Sequence, residues 1–105
     1  MSSERRAAAR RKVDVYFNKY IDGQPFVCEA IELSESGMLV RRIHEPDAPR
    51  ACYAVEIAAH GGGGEERIWL CATSVWSDGK VEALGFIGQS ERDKTRLAKL
   101  LALVA

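Results

Sequence analysis

The sequence predicts a mainly β domain: a six-stranded antiparallel β-barrel or strongly curled sheet, followed by a C-terminal α-helix and preceded by a flexible arginine-rich arm. Three observations predict it. Segments of alternating apolar and polar residues recur between Val13 and Ile87, separated by turn-forming glycine, proline and aspartate. From Ser90 onward the apolar spacing becomes helical. The chain of 105 residues, 47% apolar and 29% charged, suits a single core.

Residues 1–12 read as the arm. Five of the 15 basic residues, Arg5, Arg6, Arg10, Arg11 and Lys12, fall there beside the single acidic residue Glu4, and such a charge run is ordinarily a solvated terminus. Residues 13–105 then form the domain, with the barrel over about 13–88 and the helix over about 90–104. Val13, Val15 and Phe17 alternate with Asp14, Tyr16 and Asn18, so Val13 to Tyr20 reads as a half-buried strand ending in turn chemistry at Ile21 to Gln24. Phe26 to Leu33 and Met38 to Ile43 read as a hairpin around Ser34-Glu35-Ser36-Gly37. There the glycine is expected to take a positive backbone angle, and Ser34 to be presented at a fixed place.

His44 to Pro49 carries two prolines, which remove ladder donors, and reads as a loop. Cys52 to Ala59 is the fourth strand. Gly61 to Gly64 lacks the lysine and the Ser/Thr of a phosphate-binding P-loop and is followed by Glu65 and Glu66, so it reads as a hairpin loop. Arg67 to Trp76 and Lys80 to Ile87 flank Ser77-Asp78-Gly79, where aspartate-glycine suits a primed turn. Trp69 and Trp76 are an odd number of positions apart and face opposite sides of a regular strand, so only a bulge places them on one side. One of them is a candidate for lining a ligand or partner surface, and capping a barrel edge is the alternative. Ser90 is a natural N-cap, Glu91 and Asp93 occupy the first turn, and Leu97, Leu100, Leu101 and Val104 follow one face of the helix.

Composition excludes several function classes. Fifteen basic and 15 acidic residues cancel, which argues against non-specific nucleic-acid binding, and no aromatics interleave the basic run. Cys28, Cys52 and Cys71 are odd in number and widely spaced, as expected of reduced thiols rather than a disulfide framework. With His44 and His60 they lack the close spacing of a zinc site, so no metal is expected. No nucleophile with a base and no clustered acid pair is legible, so an enzyme is not expected. The absence of a long apolar run and the polar, arginine-rich start point to a cytoplasmic protein without membrane insertion.

Two segments carry recognition chemistry. Arg6-Ala7-Ala8-Ala9-Arg10 offers two planar, permanently charged forks, with Arg5 available to assist. Glu32-Leu33-Ser34-Glu35-Ser36-Gly37 offers a carboxylate, hydroxyls and a glycine, with 21 residues between Arg10 and Glu32. Together they suit a phosphorylated, base-containing ligand. Read as plain structure, the same residues are a solvated arm, a surface carboxylate, a turn hydroxyl and a hairpin glycine.

These residues resemble the PilZ domain, a bacterial receptor module for the second messenger cyclic di-GMP. Arg6 and Arg10 match its RxxxR motif, and Ser34 and Gly37 match its [D/N]xSxxG motif, with Glu32 standing where that pattern has aspartate or asparagine. Ala72-Thr73-Ser74-Val75-Trp76 is similar to the tryptophan-ended strand of the family, and Gly85-Phe86 with the following helix to its closing segment. The resemblance implies that Arg5, Arg6 and Arg10 hold the phosphates and guanine faces, that Glu32 and Ser34 read guanine edges, and that Gly37 permits close approach. It implies no cofactor other than this ligand, and a separate downstream protein as partner. Two function classes follow: a cyclic di-GMP receptor signalling through its arm, favoured by the intact RxxxR, and a protein-binding adaptor on the same fold that has lost the ligand, favoured by Glu32.

Overall fold

Turn chemistry and alternation together build the sheet. The computed structural model describes residues 11–47, 49–61 and 64–104. Strand β1 (Arg11–Ile21) is joined to β2 (Gln24–Leu33) by Asp22 and Gly23, both in the left-handed region at φ 52° and 81°. Such a pair makes a two-residue primed turn, whose twist matches that of the strands it joins. There follow β3 (Gly37–Arg42), β4 (Tyr53–Gly61), β5 (Gly64–Ser77), β6 (Val81–Ile87) and α1 (Glu91–Val104). Neighbouring strands pair antiparallel in the order β1-β2-β3-β6-β5-β4, and β4 returns to β1, so the sheet closes into a barrel. The six strands and the C-terminal helix are those the sequence predicts. No helix among the described residues is long and apolar enough to cross a membrane.

Three details differ from expectation. Arg11 and Lys12 pair with Leu33 and Glu32, so they belong to β1 and not to the arm. A register shift between Lys12 and Val15 breaks the alternation there, which is why the pattern located the strand start two residues late. Strands β4 and β5 also extend further along the glycine hairpin, with Gly61 opposite Gly64, because ladder pairing overrides the weak strand propensity of those residues. The β5–β6 connection is not a primed turn: Gly79 is left-handed at φ 98°, but Asp78 is not. Instead the Asp78 carboxylate accepts hydrogen bonds from the backbone of Val81 at 2.8 Å and Lys80 at 3.0 Å, which hold it below the usual carboxylate range.

Bulges decide which residues face inward. The β2–β3 register shifts between Ala30 and Glu32, which lets both Ala30 and Leu33 enter the core although they are an odd number of positions apart. The β5–β6 register shifts between Ser74 and Trp76, so Trp76 pairs with Ala83 and points outward, as Trp69 does. Trp69 leans on the ring of Tyr20, with centroids 5.1 Å apart.

A closed barrel still has two open mouths, and they are sealed differently. At one, α1 lies against β4 and β5 and inserts Leu97, Leu100 and Leu101 into the same core as Leu33, Met38, Ile57 and Ile68. Each buried leucine contributes about 1.5–3 kcal/mol. The helix is started by a reciprocal cap, in which Ser90 Oγ accepts from the Asp93 N–H at 3.0 Å and Asp93 Oδ2 accepts from the Ser90 N–H at 3.2 Å. The Val104 side chain lies outside those described. At the other mouth Lys19 is 1% exposed, and its ammonium donates to Glu45 and Glu82, each at 2.8 Å. It also lies 4.2 Å from the centre of the Tyr53 ring. Glu45 comes from the long connection between β3 and β4, yet its side chain is only 2% exposed. It also accepts from the Cys28 thiol at 3.2 Å and lies 3.3 Å from Arg42 Nε.

This seal has a pH signature. Burial alone would lower the Lys19 pKa, but the hydrogen bonds to Glu45 and Glu82 outweigh it and leave it raised. Burial, reinforced by Glu45, pushes the Cys28 thiol from 9.0 up to about 12. Both groups therefore keep protons in the folded protein at pH values where the unfolded chain has released them, so stability is full below about pH 9 and falls as pH rises. One such group contributes a slope of about 1.4 kcal/mol per pH unit. In thermal unfolding followed by circular dichroism, the midpoint is expected to fall from about pH 9 to 12, and less steeply in Cys28→Ala. Equal slopes in the two proteins would contradict this account.

Candidate functional site

The segment Glu32 to Gly37 spans the end of β2, the hairpin and the start of β3. Ser34 closes the turn, donating its N–H to the Gly37 carbonyl at 2.9 Å. Its hydroxyl lies 3.3 Å from the same carbonyl, accepts the Ser36 N–H at 3.2 Å, and lies 3.3 Å from Ser36 Oγ. Ser34 is 3% exposed. The hairpin holds Ser34 at a fixed place with its hydroxyl engaged in locking the turn, and Ser36, which the sequence did not single out, faces solvent. The turn is fastened to the rest of the fold by Phe86, whose N–H reaches the Ser36 carbonyl at 2.9 Å, and by Gln89 Nε2, which reaches the Glu35 carbonyl at 3.2 Å.

At Gly37 the expected backbone angle is corrected. Its backbone is not left-handed, so a positive angle is not why glycine stands there. The cause is proximity: a Cβ at this position would lie 2.3 Å from the Leu84 carbonyl oxygen of β6, and 3.2 Å from the Cα of Gly85, its partner across the ladder. Glu32 is half-buried, opposite Lys12 on β1, and is engaged by a group within the protein. Arg5, Arg6 and Arg10 lie outside the described residues.

Ser34, Ser36, Leu39, Val75, Ala83 and Gly85 border a cleft of about 180 Å³ on the barrel surface. One wall is hydroxyl and backbone. The other is apolar, made by Leu39, Ala83 and Val75, which is 70% exposed, and it continues to Trp76 opposite Ala83. A half-polar, half-apolar cleft suits a planar group with a hydrogen-bonding edge, and its size admits part of a ligand, not a dinucleotide whole. The structure thus brings Ser34, Ser36 and Gly37 together with the strand end Val75-Trp76, across a bulge that alternation alone could not reveal.

The ionic mouth is a second cluster, and it corrects the expectation that no acid pair would converge. Glu45 and Glu82 meet at Lys19, next to a pocket of about 140 Å³. Both carboxylates are bound to one ammonium, and the neighbouring Cys28 thiol, held protonated up to about pH 12, is no nucleophile. Among the described residues no group of three or more histidine, cysteine, aspartate or glutamate side chains could hold a metal ion.

No protein-family profile and no curated protein sequence matches the chain. Solved structures do. The PilZ domain of CeSA from a cellulose-synthesising bacterium superposes with a TM-score of 0.67 at 15% identity, covering 90% of this chain and 97% of that one. An uncharacterised Legionella protein superposes with a TM-score of 0.57 at 18% identity, covering 90% of each chain. The chain has a PilZ-like fold.

Gly37→Ala is expected to destabilise the domain by about 1–3 kcal/mol, because backbone and not a flexible side chain meets the new methyl. Chemical denaturation should show a lower midpoint at unchanged slope. A midpoint equal to that of the parent would mean that the β3–β6 approach is looser than this geometry.

Proposed function

We propose that the domain is a cytoplasmic receptor for cyclic di-GMP that acts on a separate protein through ordering of its N-terminal arm. The observation that carries this reading is the first rung of the barrel: Arg11 is opposite Leu33 and Lys12 opposite Glu32. Arg10 immediately precedes Arg11 in the chain, and β1 begins opposite the end of β2 that leads into the Glu32 to Gly37 segment. The likeness of the fold to the PilZ domain of CeSA supports the same reading.

In this mechanism a guanine enters the cleft between the hydroxyl wall and Val75, with Trp76 beside it. Glu32 and Ser36 meet its polar edge. Arg6 and Arg10, with Arg5, clasp the phosphates by paired hydrogen bonds and stack on the bases, which lysine would not reproduce. The dianionic ligand offsets the entropy of ordering the arm, and the ordered arm is the output. Glutamate in place of aspartate moves the carboxylate outward by one methylene. Loss of one charge-assisted hydrogen bond, worth about 1.5–3 kcal/mol, weakens binding by roughly ten- to a hundred-fold.

A second reading, a protein-binding adaptor on this fold that does not take the ligand, is favoured by Glu32 and by the Ser34 hydroxyl already being engaged in the turn. Isothermal titration calorimetry with cyclic di-GMP, and GTP as control, separates the two. The receptor reading expects micromolar binding, loss of at least about tenfold in Arg10→Ala, and tighter binding in Glu32→Asp. No heat from either the parent or Glu32→Asp would leave the adaptor.

A further inference from the structure

The fold brings together two cysteines that the sequence separates by a hairpin. Strands β4 and β5 pair Tyr53 with Ala72 and Ala54 with Cys71, so Cys52, one residue before β4, is diagonal to Cys71 on the outer face of the barrel. Thr73 fastens the same stretch by donating its hydroxyl to the Ala51 carbonyl at 3.0 Å. Cys52 is exposed, Cys71 is half-buried, and both are free thiols. The hydrogen bond that the Cys71 thiol donates to the Cys52 sulfur, with burial, pushes the Cys71 thiol up. The third cysteine, Cys28, is fully buried in the barrel against Glu45 and does not compete.

We infer that Cys52 and Cys71 are a redox-active thiol pair that closes to an intramolecular disulfide on reaction with a low-molecular-weight disulfide, tying the β3–β4 connection to β5. The exposed Cys52 thiolate attacks one sulfur of the reagent, forming a mixed disulfide and releasing one thiol. Cys71 then gives its proton to solvent and attacks Cys52 Sγ, and the second reagent thiol leaves. Two protein thiols are oxidised to one disulfide as one reagent disulfide is reduced to two thiols. Diagonal ladder neighbours stand about 7–8 Å apart, with their Cβ atoms somewhat closer, which is still wider than the about 3.8 Å between the Cβ atoms of a disulfide. Cys71 is held between Ala54 and Ile87, whereas Cys52 precedes the first rung of β4, so it is the Cys52 side that must shift to close the bond. The bond would secure the connection that carries Glu45 into the barrel mouth.

The test uses the full chain, reduced and then incubated with glutathione disulfide. Expected are a mass lower by two hydrogens, a Cys52–Cys71 linked peptide in a non-reducing digest, and a thermal midpoint raised by about 5–15 °C that dithiothreitol reverses. Cys52→Ser should lose both the linked peptide and the shift, and Cys71→Ser should trap a glutathione adduct on Cys52. In the parent protein, a stable adduct on Cys52 with Cys71 still titratable, or no reaction at either thiol, would overturn the inference.

Discussion

Closing a sheet removes its edges but leaves two mouths, and much of this structure follows from how each is filled. The leucine stripe of α1 fills one by simple burial. The other is filled by a desolvated ammonium that needs every partner it has. Lys19 is surrounded by Glu45, Glu82 and the Tyr53 ring, and Arg42 also faces Glu45, so removing either carboxylate would leave this cluster with one positive charge uncompensated. Such clusters add little net stability compared with apolar packing, yet they discriminate sharply between arrangements. The β3–β4 connection, with two prolines and no ladder of its own, is drawn over the mouth because Glu45 must reach Lys19. Arg50 secures its far end by a two-pronged ion pair with Asp22 at 3.0 and 2.5 Å.

The bulges are the second organising device. One extra residue on a strand reverses the facing of everything beyond it. At Ile31 this turns Leu33 into the core and leaves Glu32 on the opposite face. At Val75 it turns Trp76 outward, beside the cleft, and leaves Val75 standing above the Gly85 backbone as its wall. The apolar half of the candidate site is therefore a product of irregularity in the ladder.

The motif residues serve the fold before they serve a ligand. Ser34 completes its own turn, and Gly37 admits the β6 backbone. A receptor and an adaptor on this scaffold would both need them, so their presence alone does not separate the two functions. The residues whose chemistry separates the two functions are the arginine pair of the RxxxR motif and the carboxylate of Glu32 with its additional methylene.

The sequence by itself determined the number and order of the strands, the turns at Asp22-Gly23 and the glycine run, and a helix capped by Ser90. These depend on alternation, backbone preference and capping, which act over a few residues. Only the tertiary structure decided that Glu45 meets Glu82 at Lys19, that Cys52 meets Cys71, that both tryptophans face outward, and that Gly37 is required by proximity and not by its backbone angle. Each of those facts depends on register between strands distant in the chain, and register is set by the whole closed ladder with its bulges, which no local pattern encodes.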